Sequence, residues 1–109
     1  MDELNTDNDI RLSFEVTSDG DQSVHLTLHG ELDVVTADEV EARLKPLIDQ
    51  GARRIVADVG DLRFADSSAI ALWVRWANSV DEVEIRNPSA LLRQVIERMG
   101  LAERLGIAP

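Results

Sequence analysis

Apolar and polar positions alternate from Ile10 onward. Ile10, Leu12, Phe14 and Val16 fall on one side, and Arg11, Ser13, Glu15 and Thr17 on the other. A period of two is that of a half-buried strand. Ser18-Asp19-Gly20-Asp21-Gln22 has the chemistry of a turn. Val24, Leu26 and Leu28 then alternate with His25, Thr27 and His29, so the first two strands are expected to form an antiparallel hairpin. The period changes after Gly30-Glu31-Leu32-Asp33-Val34-Val35. Ala37, Val40, Leu44, Leu47 and Ile48 form one helical stripe, with Thr36 and Glu39 spaced as a capping box at its start. Pro46 is expected to kink or shorten this helix, and Gly51 to end it.

Ile55-Val56-Ala57-Asp58-Val59 is a short apolar run, as in a strand buried on both faces. Strand, helix and strand in succession imply a right-handed crossover and a parallel pairing. Gly60 to Phe64 leads to Ala65-Asp66-Ser67-Ser68-Ala69 and a second helix from Ile70 to Ala77. Val83 to Arg86 reads as a short strand and Asn87-Pro88-Ser89 as a turn and helix cap. Leu91, Leu92, Val95, Ile96 and Met99 stripe a third helix that Gly100-Leu101 stops in a Schellman-like way. A last short helix over 101–105 is expected. The order strand, strand, helix, strand, helix, strand, helix predicts an α/β domain, a small mixed sheet with helices packed against it.

The second helix carries more apolar surface than a sheet requires. Its apolar residues spread over roughly 200°, where about 100° suffices for a core-facing stripe. Ile70, Trp73, Val74 and Ala77 centre on one direction, and Leu72 and Trp76 share an edge. That edge is expected to be covered by the third helix. Left exposed, it would form a protein-binding hot spot.

The 109 residues fit one domain, with residues 10–109 folded and residues 1–9, four acids and no base, read as a mobile tail. A net charge of −10, from 21 acids against 11 bases, disfavours nucleic acid as a partner. No apolar run reaches the roughly 20 residues that cross a bilayer, and the acidic start is unlike a secretory signal, so no membrane insertion and a cytoplasmic location are expected. With no cysteine, disulfides and thiolate metal sites are excluded.

The chemistry an enzyme needs is thin. His25 and His29 share one side of a strand without further suitable ligands, Ser67 has no base close in sequence, and no phosphate-binding glycine loop occurs. Neither a metal, a cofactor nor a catalytic residue is therefore assigned. What remains is a serine at a helix start, where the dipole and free N–H groups tolerate a phosphate. Asp66, and Asp33 if it is close, would oppose that charge. Local chemistry alone favours Ser67 or Ser68 as a simple helix cap.

Three segments together resemble the STAS domains of bacterial anti-sigma-factor antagonists. They are Leu28 to Ala37 with Gly30-Glu31-Leu32-Asp33; Ile55 to Val59 followed by Phe64-Ala65-Asp66-Ser67-Ser68-Ala69-Ile70; and Asn87-Pro88-Ser89 with Met99-Gly100-Leu101. The resemblance covers about residues 10–106. It implies a four- to five-stranded mixed sheet with helices on one side. It also implies a partner, a kinase-type anti-sigma factor that phosphorylates Ser67 and thereby loses its grip, with a phosphatase reversing the step. Asp33, Asp66, Ser68, Ala69, Leu72 and Trp76 would form the partner surface. Ala69 stands where the family carries glycine; its methyl would obstruct a close partner backbone or forbid a positive φ. The superfamily offers an alternative, a STAS adaptor that binds the ATPase of a lipid-transporting ABC system without serine phosphorylation.

Overall fold

The computed structural model describes residues 11–18 and 22–107. The tail expected at 1–9, Ile10, the centre of the first turn and the last two residues lie outside them. The elements are β1 (Leu12–Ser18), β2 (Ser23–Leu32), α1 (Val34–Asp49), β3 (Arg54–Ala65), α2 (Ser67–Ser79), β4 (Glu82–Arg86) and α3 (Ala90–Arg98). They build an α/β domain around one mixed sheet of four strands in the order β1-β2-β3-β4. The β1–β2 pair is antiparallel, and β2–β3 and β3–β4 are parallel.

The alternation predicted for the hairpin holds. Phe14 sits opposite Leu28 and Val16 opposite Leu26, which places both rows on one face. Val24, Leu26 and Leu28 are buried there, joined by Ile55, Ala57, Val59, Val83 and Ile85 from the parallel strands. His25, Thr27 and His29 occupy the other face, where His29 lies 3.0 Å from Asp61 and 3.6 Å from Glu15. Gly30 is a steric requirement of the hairpin. Its φ is +111° and a Cβ there would stand 2.1 Å from the Arg11 carbonyl oxygen, which accepts the Glu31 N–H.

Both parallel strands run further than their apolar runs suggest. β2 continues to Leu32 and β3 to Ala65, through Gly60, Asp61 and Arg63, because the two strands pair across irregular register steps up to Leu32 opposite Ala65. Their ends therefore coincide, and each releases directly into a helix through an aspartate.

α1 buries Thr36, Ala37, Val40 and Leu44, close to the expected stripe, with Leu47 and Ile48 half-buried beside them. Its cap is Asp33 rather than Thr36, so the helix begins about one turn earlier than the Thr36–Glu39 spacing implies. Pro46 falls within the helix, which continues to Asp49. At the other end of the chain, Ser89 caps α3 by accepting the Leu92 N–H. The Schellman stop is present too: Leu101 N–H reaches the Ile96 carbonyl and Gly100 N–H the Glu97 carbonyl. Residues 102–106 form turns instead of the last helix expected. They nevertheless seal the edge of β4, since Ile85 N–H donates to the Leu105 carbonyl, and Leu105 and Ile107 are buried. Gly106 lets this segment lie against β4, as a Cβ on it would fall 2.3 Å from the Val83 carbonyl oxygen.

Candidate functional site

The carboxyl ends of β2 and β3 set two aspartates side by side. Asp33 accepts hydrogen bonds from the Val35 and Thr36 N–H groups, both at 3.0 Å, while Thr36 Oγ1 accepts the Asp33 N–H at 2.8 Å. Asp66 accepts the Ser68 N–H at 2.9 Å, and its own N–H points to the Leu32 carbonyl at 3.3 Å. The starts of α1 and α2 are thus tied together, and each presents the positive end of its dipole at one end of the sheet. Arg11 reinforces Asp33 with a 2.5 Å hydrogen bond from Nη1. The Thr36 backbone N–H, aided by the Arg11 guanidinium, holds the Asp33 carboxyl below the usual aspartate range against an opposing desolvation.

Because Asp66 does the capping, neither serine is the cap expected from local chemistry. Ser67 is the first residue of α2, exposed, and its hydroxyl makes no hydrogen bond among the described residues. Ser68 is half-buried behind it. A hydroxyl in this position is available to an approaching reagent, and a phosphate on it would sit at the positive end of α2.

Of the residues expected at a partner surface, Asp33, Asp66 and Ser68 lie at this end with Ser67. Ala69, in the same first turn, and Leu72 and Trp76 further along α2 are instead buried. Ala69 and Leu72 are 0% exposed and Trp76 is 2% exposed. The reason is that α1 lies against α2. α1 covers the Leu72–Trp76 edge, where Arg75 grips Glu41 with bonds of 2.9 and 3.1 Å. The third helix does not supply the cover. Ala69 also has no positive φ, so glycine's conformational freedom is not needed at this place. Trp73 and Trp76 contribute through ring area, since neither indole N–H meets an acceptor among the described residues.

The opposite flank of α2 is open. Val74, Ile70 and Ala71 on α2, Leu91, Leu92, Val95 and Met99 along α3, and Val59, Leu62 and Phe64 on β3 line a groove of about 710 Å³ that begins at Ser67. Its rims are strongly exposed for apolar residues: Leu91 72%, Met99 56%, Phe64 50% and Val95 39%. Val34 and Val35, in the first turn of α1, are also exposed. The sequence pattern marks Leu91, Leu92, Val95, Ile96 and Met99 as one helical stripe without saying what covers it, and gives Phe64 no role of its own. Only Ile96 of that stripe is fully buried. The available signal was the width of the α3 stripe, four large apolar residues on a helix of nine with Met99 following at its C-cap.

Among the described residues no cluster of histidine, aspartate and glutamate is arranged to hold a metal ion, and no helix is long and apolar enough to cross a membrane. His29, engaged with Asp61 and Glu15, forms no hydrogen bond with Ser67.

A mixed sheet whose parallel strands end in two aspartate-capped helices, with a free hydroxyl at the second, defines an α/β domain of the STAS type. Residues 16–107 match the family model described as Mlab, STAS domain, and the chain belongs to the STAS-domain family. The fold is similar to the anti-sigma factor antagonist SpoIIAA in its unphosphorylated form, with 27% identity and a TM-score of 0.70 over 78% of this chain and 82% of that one. It is similar to the Bacillus cell fate determinant SpoIIAA in the phosphorylated form at 26% identity and a TM-score of 0.68, over 84% and 86%. An anti-sigma factor antagonist from Mycobacterium paratuberculosis shares the fold, at 22% identity and a TM-score of 0.68 over 84% and 80%. No curated protein matches significantly in sequence.

Proposed function

We propose that this STAS domain is a cytoplasmic anti-sigma-factor antagonist. It binds a kinase-type anti-sigma factor and releases it when that kinase phosphorylates Ser67, with a phosphatase restoring the binding form. The observation that carries this reading is the free, exposed Ser67 hydroxyl at the start of α2, left uncommitted because Asp66 caps the helix. Likeness to SpoIIAA, a protein known in unphosphorylated and phosphorylated forms, supports it. A phosphate adds about −1.5 to −2 charges at neutral pH. Each helix start offers roughly half a positive charge. The modification would then be accommodated without refolding and would act on the partner.

The test is incubation with ATP and the cognate anti-sigma kinase, followed by peptide mapping and a binding measurement. Phosphate on Ser67, and at least tenfold weaker binding by Ser67→Glu with Ser67→Ala retaining affinity, is the expected result. Phosphate elsewhere only, or none, overturns the switch.

A second reading is a STAS adaptor for the ATPase of a lipid-transporting ABC system, independent of phosphorylation. The Mlab description of the matching family model favours it. It requires Ser67→Glu to bind its partner as tightly as the wild type.

A further inference from the structure

Among the described residues nothing covers the groove between α2 and α3, and its shape constrains what can fill it. The floor reaches residues of the core, with Val59 2% and Ile70 5% exposed. The rims are a different matter. Leu91 on α3, Met99 just past its end and Phe64 on β3 all line the groove and are exposed to solvent. A slender occupant lying on the floor, such as a single acyl chain, would leave both rims wet. An α-helix, about 10–12 Å across with its side chains, covers floor and rims together. Apolar patches of this kind mark protein interaction sites, and methionine at a rim adapts to the shape of what binds.

Charge narrows the partner. The chain carries 21 acids against 11 bases, yet the charged groups around the groove run the other way. Arg63 lines it, is 73% exposed in its side chain, and reaches a carboxylate, Glu31, only at 4.0 Å. Arg98 is seven residues after Leu91 and so projects on the same exposed side of α3. Arg98 makes no ion pair among the described residues. Arg75 is neutralised by Glu41, and the Asp66 carboxylate is turned to its cap.

We propose that this groove is the docking site for an amphipathic helix of a partner protein, its apolar face seated on Val74, Leu92 and Val95 and its flanks acidic, facing Arg63 and Arg98. This is the helix-in-groove mode of recognition. Because Ser67 stands at the mouth of the groove, a phosphate there repels the acidic flank. That coupling rests on the Ser67 switch proposed above; the groove itself does not.

The experiment uses the full chain and two synthetic helical peptides with leucines at positions i, i+3, i+4 and i+7, one flanked by glutamates and one by lysines. Binding is followed by calorimetry and by amide chemical-shift mapping. The glutamate peptide is expected to shift α2 and α3 amides around Val74 and Val95 and to bind at least tenfold tighter than the lysine peptide. Leu91→Asp with Met99→Asp, both at exposed positions and checked for unchanged melting, is expected to lose at least tenfold, and Arg63→Glu with Arg98→Glu to abolish the preference. Equal or reversed preference between the peptides, shifts elsewhere, or no binding overturns the proposal. So does concentration-dependent self-association that the Leu91→Asp, Met99→Asp variant removes, which would make a second copy the occupant, and so does saturable binding of dodecanoate in place of the peptide. Glutamate-peptide binding that Ser67→Glu leaves unchanged keeps the groove and overturns its coupling to the switch. Absent phosphorylation of Ser67 with intact peptide binding removes the switch alone.

Discussion

The two flanks of α2 are built from similar residues and meet different fates. On one flank Leu72 and Trp76 are sealed beneath α1, with the Arg75–Glu41 pair closing the seam. On the other, Val74 faces a groove whose far wall, Leu91, Val95 and Met99, stands open. Hydrophobicity does not distinguish them, since Leu91 is as apolar as Leu72. The difference is geometric: α1 is sixteen residues long and lies against α2, whereas α3 is nine residues long and inserts Ile96 into the core without closing on Val74. One flank therefore contributes to stability, and the other stays open to solvent, where we propose that a partner helix docks.

The sharpest way to break this comparison is to truncate the sealed flank. Trp76→Ala should cost about 3–5 kcal/mol in urea unfolding, the range for removing a buried aromatic. A loss below about 1 kcal/mol would mean that α1 does not cover it as described. A smaller effect is expected at the helix start between the flanks. Asp66→Ala should cost about 1 kcal/mol through loss of the cap, and Asp66→Asn much less. The unfolding midpoints of both variants check this, and a loss equal in the two would point to the charge instead of the hydrogen bond to Ser68. The smallest effect belongs to the open flank. Leu91→Ala should change stability by no more than about 0.5 kcal/mol in the same unfolding assay, because its side chain is already in water.

Local patterns in the chain were legible wherever one physical cause decided them. The β1–β2 alternation, the Ser89 cap and the Gly100-Leu101 stop depend on a few neighbouring residues, and the structure reproduces each. The α1 start shows where locality misleads. Thr36 and Glu39 have capping-box spacing, but β2 is held in the sheet by β3 as far as Leu32, so Asp33 takes the cap and Thr36 becomes its partner. The same pairing carries β3 through Gly60 and Asp61, residues with loop chemistry. At the site, Asp33, Asp66 and Ser67 were visible as acids and a hydroxyl beside helix starts. Leu72 and Trp76 were misplaced because a helical period fixes which residues share a stripe, not which neighbour covers it.

From sequence alone came the mixed α/β order, the faces of each strand, the absence of cysteine and the serine beside its aspartate, all of them properties of short-range pattern and composition. Tertiary structure decided the rest. Pairing of β2 with β3 brought the two aspartates into register and left the Ser67 hydroxyl uncommitted, and packing of α1 on α2 sealed its tryptophans while its other flank lay open. Those outcomes depend on which surfaces meet across the fold, and residues distant in the chain set that together.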